Sequence, residues 1–100
     1  MTTAKRSDLL PNIPAIAEFV PGYEASGWYG LCVPMGTAAA IIDKLSTEII
    51  AGVGDPNLKA RLLALGVEPT PMPPITFGKF IADETEKWAK VIKYADIKPE

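Results

Sequence analysis

The sequence predicts a helix-dominated α/β chain with three substantial helices and two short strands. Three observations predict it. Apolar residues recur at helical spacing in the segments 38–53, 56–65 and about 75–95. A run rich in β-favouring residues, Trp28-Tyr-Gly-Leu-Cys-Val33, precedes the first of these. A shorter stretch of strand length, Val67 to Thr70, lies between the second helix and a proline cluster.

The first 23 residues form an irregular, Pro-rich lead-in. Pro11 and Pro14 push the residues before them toward extended backbone, so residues 1 to about 12 are expected to be poorly ordered. Ala15 to Phe19 has room for one helical turn, and Pro21-Gly22 signals a reversal. Glu24 to Val33 is the better strand. Gly27 and Gly30 interrupt it, and glycine inside a strand marks a bulge or a close approach of backbone.

Ile41, Ile42, Leu45, Ile49 and Val53 then fall on one helical stripe, with Asp43, Lys44 and Glu48 toward water. Thr37 is the expected N-cap, because its hydroxyl can accept from the first free amides. Gly52 and Gly54 close this helix. Asp55-Pro56 opens the next, a capping residue followed by proline at the first helical position. Leu58, Leu62 and Leu63 or Leu65 make its inner face, and Gly66 ends it as a left-handed cap.

Pro69, Pro71, Pro73 and Pro74 exclude both helix and a central strand. The last helix carries Phe77, Phe80, Ile81, Trp88, Val91, Ile92 and Ala95 on its apolar stripe, with Glu84 in the gap. Asp83 with Lys87, and Glu86 with Lys90, are spaced as i,i+4 pairs.

Composition excludes several function classes. One hundred residues make one small domain at most, and 48% apolar content is globular rather than disordered. A net charge of -2 offers no basic footprint for nucleic acid. With one cysteine and no histidine, an internal disulfide and a histidine-based triad or metal site are impossible. Cys32 sits in an apolar run and reads as a small buried hydrophobe.

No nucleophile has a partner base. Ser7, Ser26, Ser46 and Cys32 lack one, so no catalytic residue is assigned and the chain is not read as an enzyme. Asp83, Glu84 and Glu86 point to different sides of one helix and read as a solvated face rather than a metal site. No cofactor is expected. Gly36-Thr37 before a helix offers free amides that can hold an anion, although an ordinary cap is the simpler reading. The aromatics Tyr23, Trp28 and Tyr29 either line a cleft or pack as core, with core favoured for at least one of Trp28 and Tyr29.

The order of these motifs is more specific than any one of them. Leu10-Pro-Asn-Ile-Pro-Ala-Ile-Ala-Glu18 is followed by Pro21-Gly-Tyr-Glu24, then by Trp28-Tyr-Gly-Leu-Cys-Val-Pro-Met-Gly-Thr37. Asp55-Pro56, Leu65-Gly-Val-Glu-Pro69 and Lys87-Trp-Ala-Lys90 complete the series. This series resembles the C-terminal third of the solute receptors of tripartite tricarboxylate transporters, the Bug family of periplasmic binding proteins. The resemblance covers nearly all of the chain. One departure is the start of the last helix. Pro73-Pro-Ile-Thr76 replaces the family's Ser/Thr-Pro-Glu-Glu, so the usual cap and acidic first turn are missing and fraying is expected.

The resemblance implies part of one lobe of a type II periplasmic-binding-protein fold. Residues 24–100 would supply the crossing strand and lobe-one helices. It implies capture of a small organic acid for delivery to membrane transporter subunits. The implied ligand contacts are Ser26, Gly27, Trp28, Tyr29, Gly36 and Thr37. The ligand loops of the opposite lobe would lie elsewhere, so weak or no binding is expected of this segment alone. The other reading is a self-associating module, a homodimer that covers surface left open by the missing lobe. Receptors of this type are periplasmic. Residues 1–8 show no apolar core of signal-peptide length, so a cytoplasmic location is expected if the chain is expressed as given.

Overall fold

The computed structural model describes residues 1–99. Its elements are one 3₁₀ turn, Ile16–Glu18, and three helices: α1 (Ala39–Val53), α2 (Pro56–Ala64) and α3 (Pro74–Tyr94). No β-strand forms among the described residues, so neither expected strand is present. A strand exists only through a ladder of bonds to a neighbour. Residues 26–33 make no backbone–backbone hydrogen bond among the described residues, because no other segment lies beside them to pair. Val67 donates only backward, to the Leu62 carbonyl that ends α2.

The lead-in is irregular but tied down, which corrects the expectation of poor order. Its own backbone donors do the tying. The Met1 ammonium donates to the Pro14 carbonyl at 2.9 Å. Ile16 N–H donates to the Met1 carbonyl, and Ala25 N–H to that of Thr2. Arg6 grips Glu18 through two parallel 2.7 Å bonds, a planar fork matched to a carboxylate. Glu18 also accepts from Ala15 N–H. These contacts hold its carboxyl down at about 2, with the Arg6 bond as the largest cause. Ser7 Oγ donates to Glu68 at 2.6 Å, linking the lead-in to the chain after α2.

The helix ends follow local chemistry. Asp55 accepts from Asn57 N–H and Leu58 N–H, each at 3.0 Å, and Pro56 starts α2 as expected. Gly66 ends α2 at φ +76°, with Val67 N–H reaching Leu62 and Gly66 N–H reaching Leu63. That is the Schellman pattern. Asp96, at φ 51°, ends α3 in the same way.

At α1 the expected cap is one residue off. Thr37 Oγ1 donates to the Pro34 carbonyl at 2.8 Å, and Ala38 takes the N-cap position without a side-chain bond. The tight Pro34–Thr37 turn, with Gly36 at φ +84°, claims the hydroxyl first. α3 likewise starts without a side-chain cap.

α1 and α2 pack on each other. α3 takes its main contacts from the irregular run around residues 22–30, through Trp28 and Gly30. The result is open. The radius of gyration is 16.5 Å, against about 13 Å for a compact 100-residue domain. The accessible surface is 8355 Å², against about 5,500 Å² for a compact monomer of this mass. Only Ala15 and Ser7 are buried among the described residues. Cys32 is exposed, correcting the expectation of a buried thiol. Its neighbours Leu31 and Val33 are exposed as well, because no sheet covers this run.

Candidate functional site

The candidate site lies where the run from Gly22 to Gly30 crosses α3. Val20, Pro21, Gly22 and Tyr23 form a turn closed by Tyr23 N–H to the Val20 carbonyl, with Gly22 at φ +82°. The turn aims the chain along α3. Trp28 then meets Phe80 edge-on, with ring centres 5.3 Å apart, and Phe77 edge-on at 5.8 Å. Edge-to-face contacts of this kind suit the ring quadrupoles. Phe77 and Phe80 are one helical turn apart on α3, which stacks their rings nearly parallel. Gly30 lets the Phe77 ring come close, since a Cβ there would sit 2.2 Å from Phe77 Cζ. The close approach expected of an in-strand glycine therefore falls at Gly30. Gly27 faces open space.

Glu84 is the electrostatic centre. Its side chain is only 14% exposed, so it is not part of a solvated acidic face. It accepts from Lys87 Nζ at 2.5 Å and from Trp88 Nε1 at 2.9 Å. The Lys87 ammonium is the largest cause holding the Glu84 carboxyl below the usual carboxylate range. Burial opposes it, and the indoles of Trp88 and Trp28 assist it. The pairing expected between Asp83 and Lys87 is thus replaced. Lys87 turns to Glu84, and Asp83 pairs with Lys79 one turn earlier. Glu86 and Lys90 pair as expected. The signal for Glu84 was its position inside the apolar stripe of α3, where a carboxylate needs donors.

A half-open groove of about 330 Å³ lies beside this centre, lined by residues 22–25 and by Lys87, Trp88 and Val91. A second, of about 290 Å³, lies between Asp8-Leu9 and Lys59, Leu63, Glu68 and Pro69. The residues implied as ligand contacts do not converge on either. Trp28 is committed to the Phe77–Phe80 pair, Ser26 is half-buried, and Tyr29 is 88% exposed. Gly36 and Thr37 form their own turn at the start of α1. No cluster of metal-ligating side chains occurs among the described residues, and none of their helices is long and apolar enough to cross a membrane.

The described residues thus form three helices with open apolar faces around an unpaired aromatic run, not a closed pocket. The family model for the tripartite tricarboxylate transporter family receptor matches residues 1–97, and the chain belongs to that family. Membership implies a periplasmic-binding-protein fold. Among curated relatives, a UPF0065 protein from the tcbD-tcbE intergenic region of Pseudomonas sp. (strain P51) is 32% identical over 94 residues. That match covers 92% of this chain and 28% of the relative. A UPF0065 protein from the TAR-I ttuE-ttuC' intergenic region of Agrobacterium vitis is 33% identical, covering 95% of this chain and 29% of its own length. Protein BugT of Bordetella pertussis is 32% identical, with 91% and 28% covered. The chain therefore spans less than a third of the length of these relatives. No solved structure matches.

Proposed function

We propose that this chain is the C-terminal segment of an extracytoplasmic receptor that captures a small carboxylate for a tripartite tricarboxylate-type transporter. The observation that carries the reading is the family match over residues 1–97. The surface excess supports the rest: a lobe that exposes this much apolar side chain is completed by further protein. In this reading Ser26, Gly27, Tyr29, Gly36 and Thr37 remain the candidate ligand contacts. Trp28 adds a positioning role, since it anchors the run to α3. A receptor encloses its ligand between lobes. This segment alone offers half-open grooves and binds weakly or not at all.

The test is a thermal-shift titration with mono-, di- and tricarboxylates and aromatic acids. A ligand at 100 times its dissociation constant adds about 2.7 kcal/mol, a shift of several degrees for a small domain. No saturable shift is expected from the chain alone. A saturable one overturns the half-cleft argument. A chimera in which the chain replaces the matched 28% of BugT then tests the receptor reading itself. It should fold and bind a small carboxylate from the same panel. A chimera that folds and binds none overturns the reading.

A second reading is a homodimeric interaction module. It is favoured by exposed large hydrophobic side chains on α1, α3 and the run before α1.

A further inference from the structure

We infer that Glu84 is a positioning residue: it fixes the one place where the run from Gly22 to Gly30 seats along α3, and with it the candidate ligand contacts Ser26 and Gly27. For the ligand contacts the inference rests on the receptor reading. For the seating it rests on contacts within this chain alone.

The run meets α3 at two places and runs opposite to it. Trp28 packs on Phe77 and Phe80, and Gly30 on Phe77, near the start of the helix. Residues 22–25 lie beside Lys87, Trp88 and Val91, further along it. Glu84 stands between these contacts, about 6 Å along the axis from both Phe80 and Trp88. Ser26 and Gly27 bridge the two contacts, so they cross α3 at the level of Glu84.

A carboxylate is costly in such a place unless donors meet it. Its own helix supplies them, with Lys87 Nζ on one oxygen and Trp88 Nε1 on the other. The charge is therefore held in place before the run seats. It interrupts an apolar stripe that otherwise continues from Phe77, Phe80 and Ile81 to Trp88 and Val91. An unbroken stripe would accept the run at several positions, and a charge in its middle leaves one. Sliding the run toward the start of α3 brings Glu24 toward Glu84, carboxylate against carboxylate. Glu24 is the only charged residue between Phe19 and Ile42, so no other charge in the run offsets this. Sliding it the other way lifts Trp28 off Phe77 and Phe80 and sets its ring against the charge.

The experiment compares the 100-residue chain with Glu84→Leu by two-dimensional NMR of the indole N–H groups. The Trp28 signal is assigned by its loss in Trp28→Phe. The parent should give one Trp28 signal, with ring contacts to Phe77 and Phe80. Glu84→Leu should give a second Trp28 signal from a shifted seating. Its Tm should hold or rise, because apolar packing in place of a buried ion pair tends to be neutral or stabilising. A residue that only held the helix together would lower Tm and leave Trp28 single. Glu86→Leu, at a side chain 69% exposed and paired with Lys90, should also leave Trp28 single. In the BugT chimera, Glu84→Leu should weaken carboxylate binding by roughly tenfold or more with the fold retained.

A single Trp28 signal in Glu84→Leu, with its contacts to Phe77 and Phe80 unchanged, overturns the inference. So does a Glu84→Leu chimera that binds as tightly as its parent. If Glu84→Leu unfolds the chain, Glu84→Gln takes its place, since it keeps an acceptor oxygen and removes the charge, and the same second signal is expected. A parent chimera that folds and binds nothing overturns the receptor reading, and the Trp28 signal still decides this one.

Discussion

Replacing Trp28 with alanine should remove the main tie between the irregular run and α3. Trp28 is 42% exposed, so somewhat more than half of its side chain leaves water on folding. A tryptophan offers up to about 250 Å² for burial, which makes about 140 Å² here. At about 25 cal/mol per Å² this contributes about 3.5 kcal/mol, and roughly 2–3 kcal/mol once a realistic unfolded chain is the reference. The edge-to-face contacts with Phe77 and Phe80 add about 1 kcal/mol. The expected loss is therefore about 3–4 kcal/mol, or a fall in Tm of roughly 12–32 °C for a chain of this size. The assay is thermal unfolding by near-ultraviolet circular dichroism at low concentration, with Trp88 fluorescence as a second probe. Trp28→Phe should recover part of the loss, since a smaller ring still contacts Phe77 and Phe80. A Tm for Trp28→Ala within about 2 °C of the parent, with Trp88 emission unchanged, would refute the reasoning.

Three further outcomes are expected. Gly30→Ala places a methyl 2.2 Å from Phe77 Cζ and should cost about 1–3 kcal/mol, partly recovered by Phe77→Leu in the same chain, as urea denaturation would measure. Asp55→Ala should cost about 1 kcal/mol by removing the cap of α2, while Thr37→Ala should stay within about 0.5 kcal/mol because its hydroxyl serves a turn and not the helix amides. The Glu18 carboxyl is lowered from 4.5 to about 2 in the folded chain, so its contribution is fully present above about pH 4.5 and is lost as pH falls through about 2. Glu84 is lowered too and acts in the same direction. Stability measured from pH 7 to 2 should therefore decline on the acid side, and Glu18→Gln should flatten part of that slope.

The parts of the fold legible in the sequence are those set by bonds between near neighbours. Asp55-Pro56 caps α2, Gly66 ends it, and Pro21-Gly22 makes a turn, because each needs only the chain within a few residues of itself. The three helices were legible for the same reason, since apolar spacing repeats along one local axis. Thr37 shows the limit of that logic. Two short-range partners competed for one hydroxyl, and the Pro34 carbonyl prevailed over the helix amides.

What the tertiary structure alone decided is where the long-range partners are. The strands at 24–33 and 67–70 depended on neighbours that no local pattern supplies, and they are not formed. Cys32 is exposed for that reason, since an apolar run is buried only when something lies against it. Glu84 reversed in the opposite sense. Its helical neighbours suggested water, but the packing of Trp28 on α3 and the turn of Lys87 and Trp88 toward it made a half-buried carboxylate with its own donors. Helices and caps arise from hydrogen bonds inside one segment, so sequence determines them directly. Sheets, burial and shifted carboxyl groups arise from surfaces that meet across the chain, and only the folded arrangement says which surfaces meet.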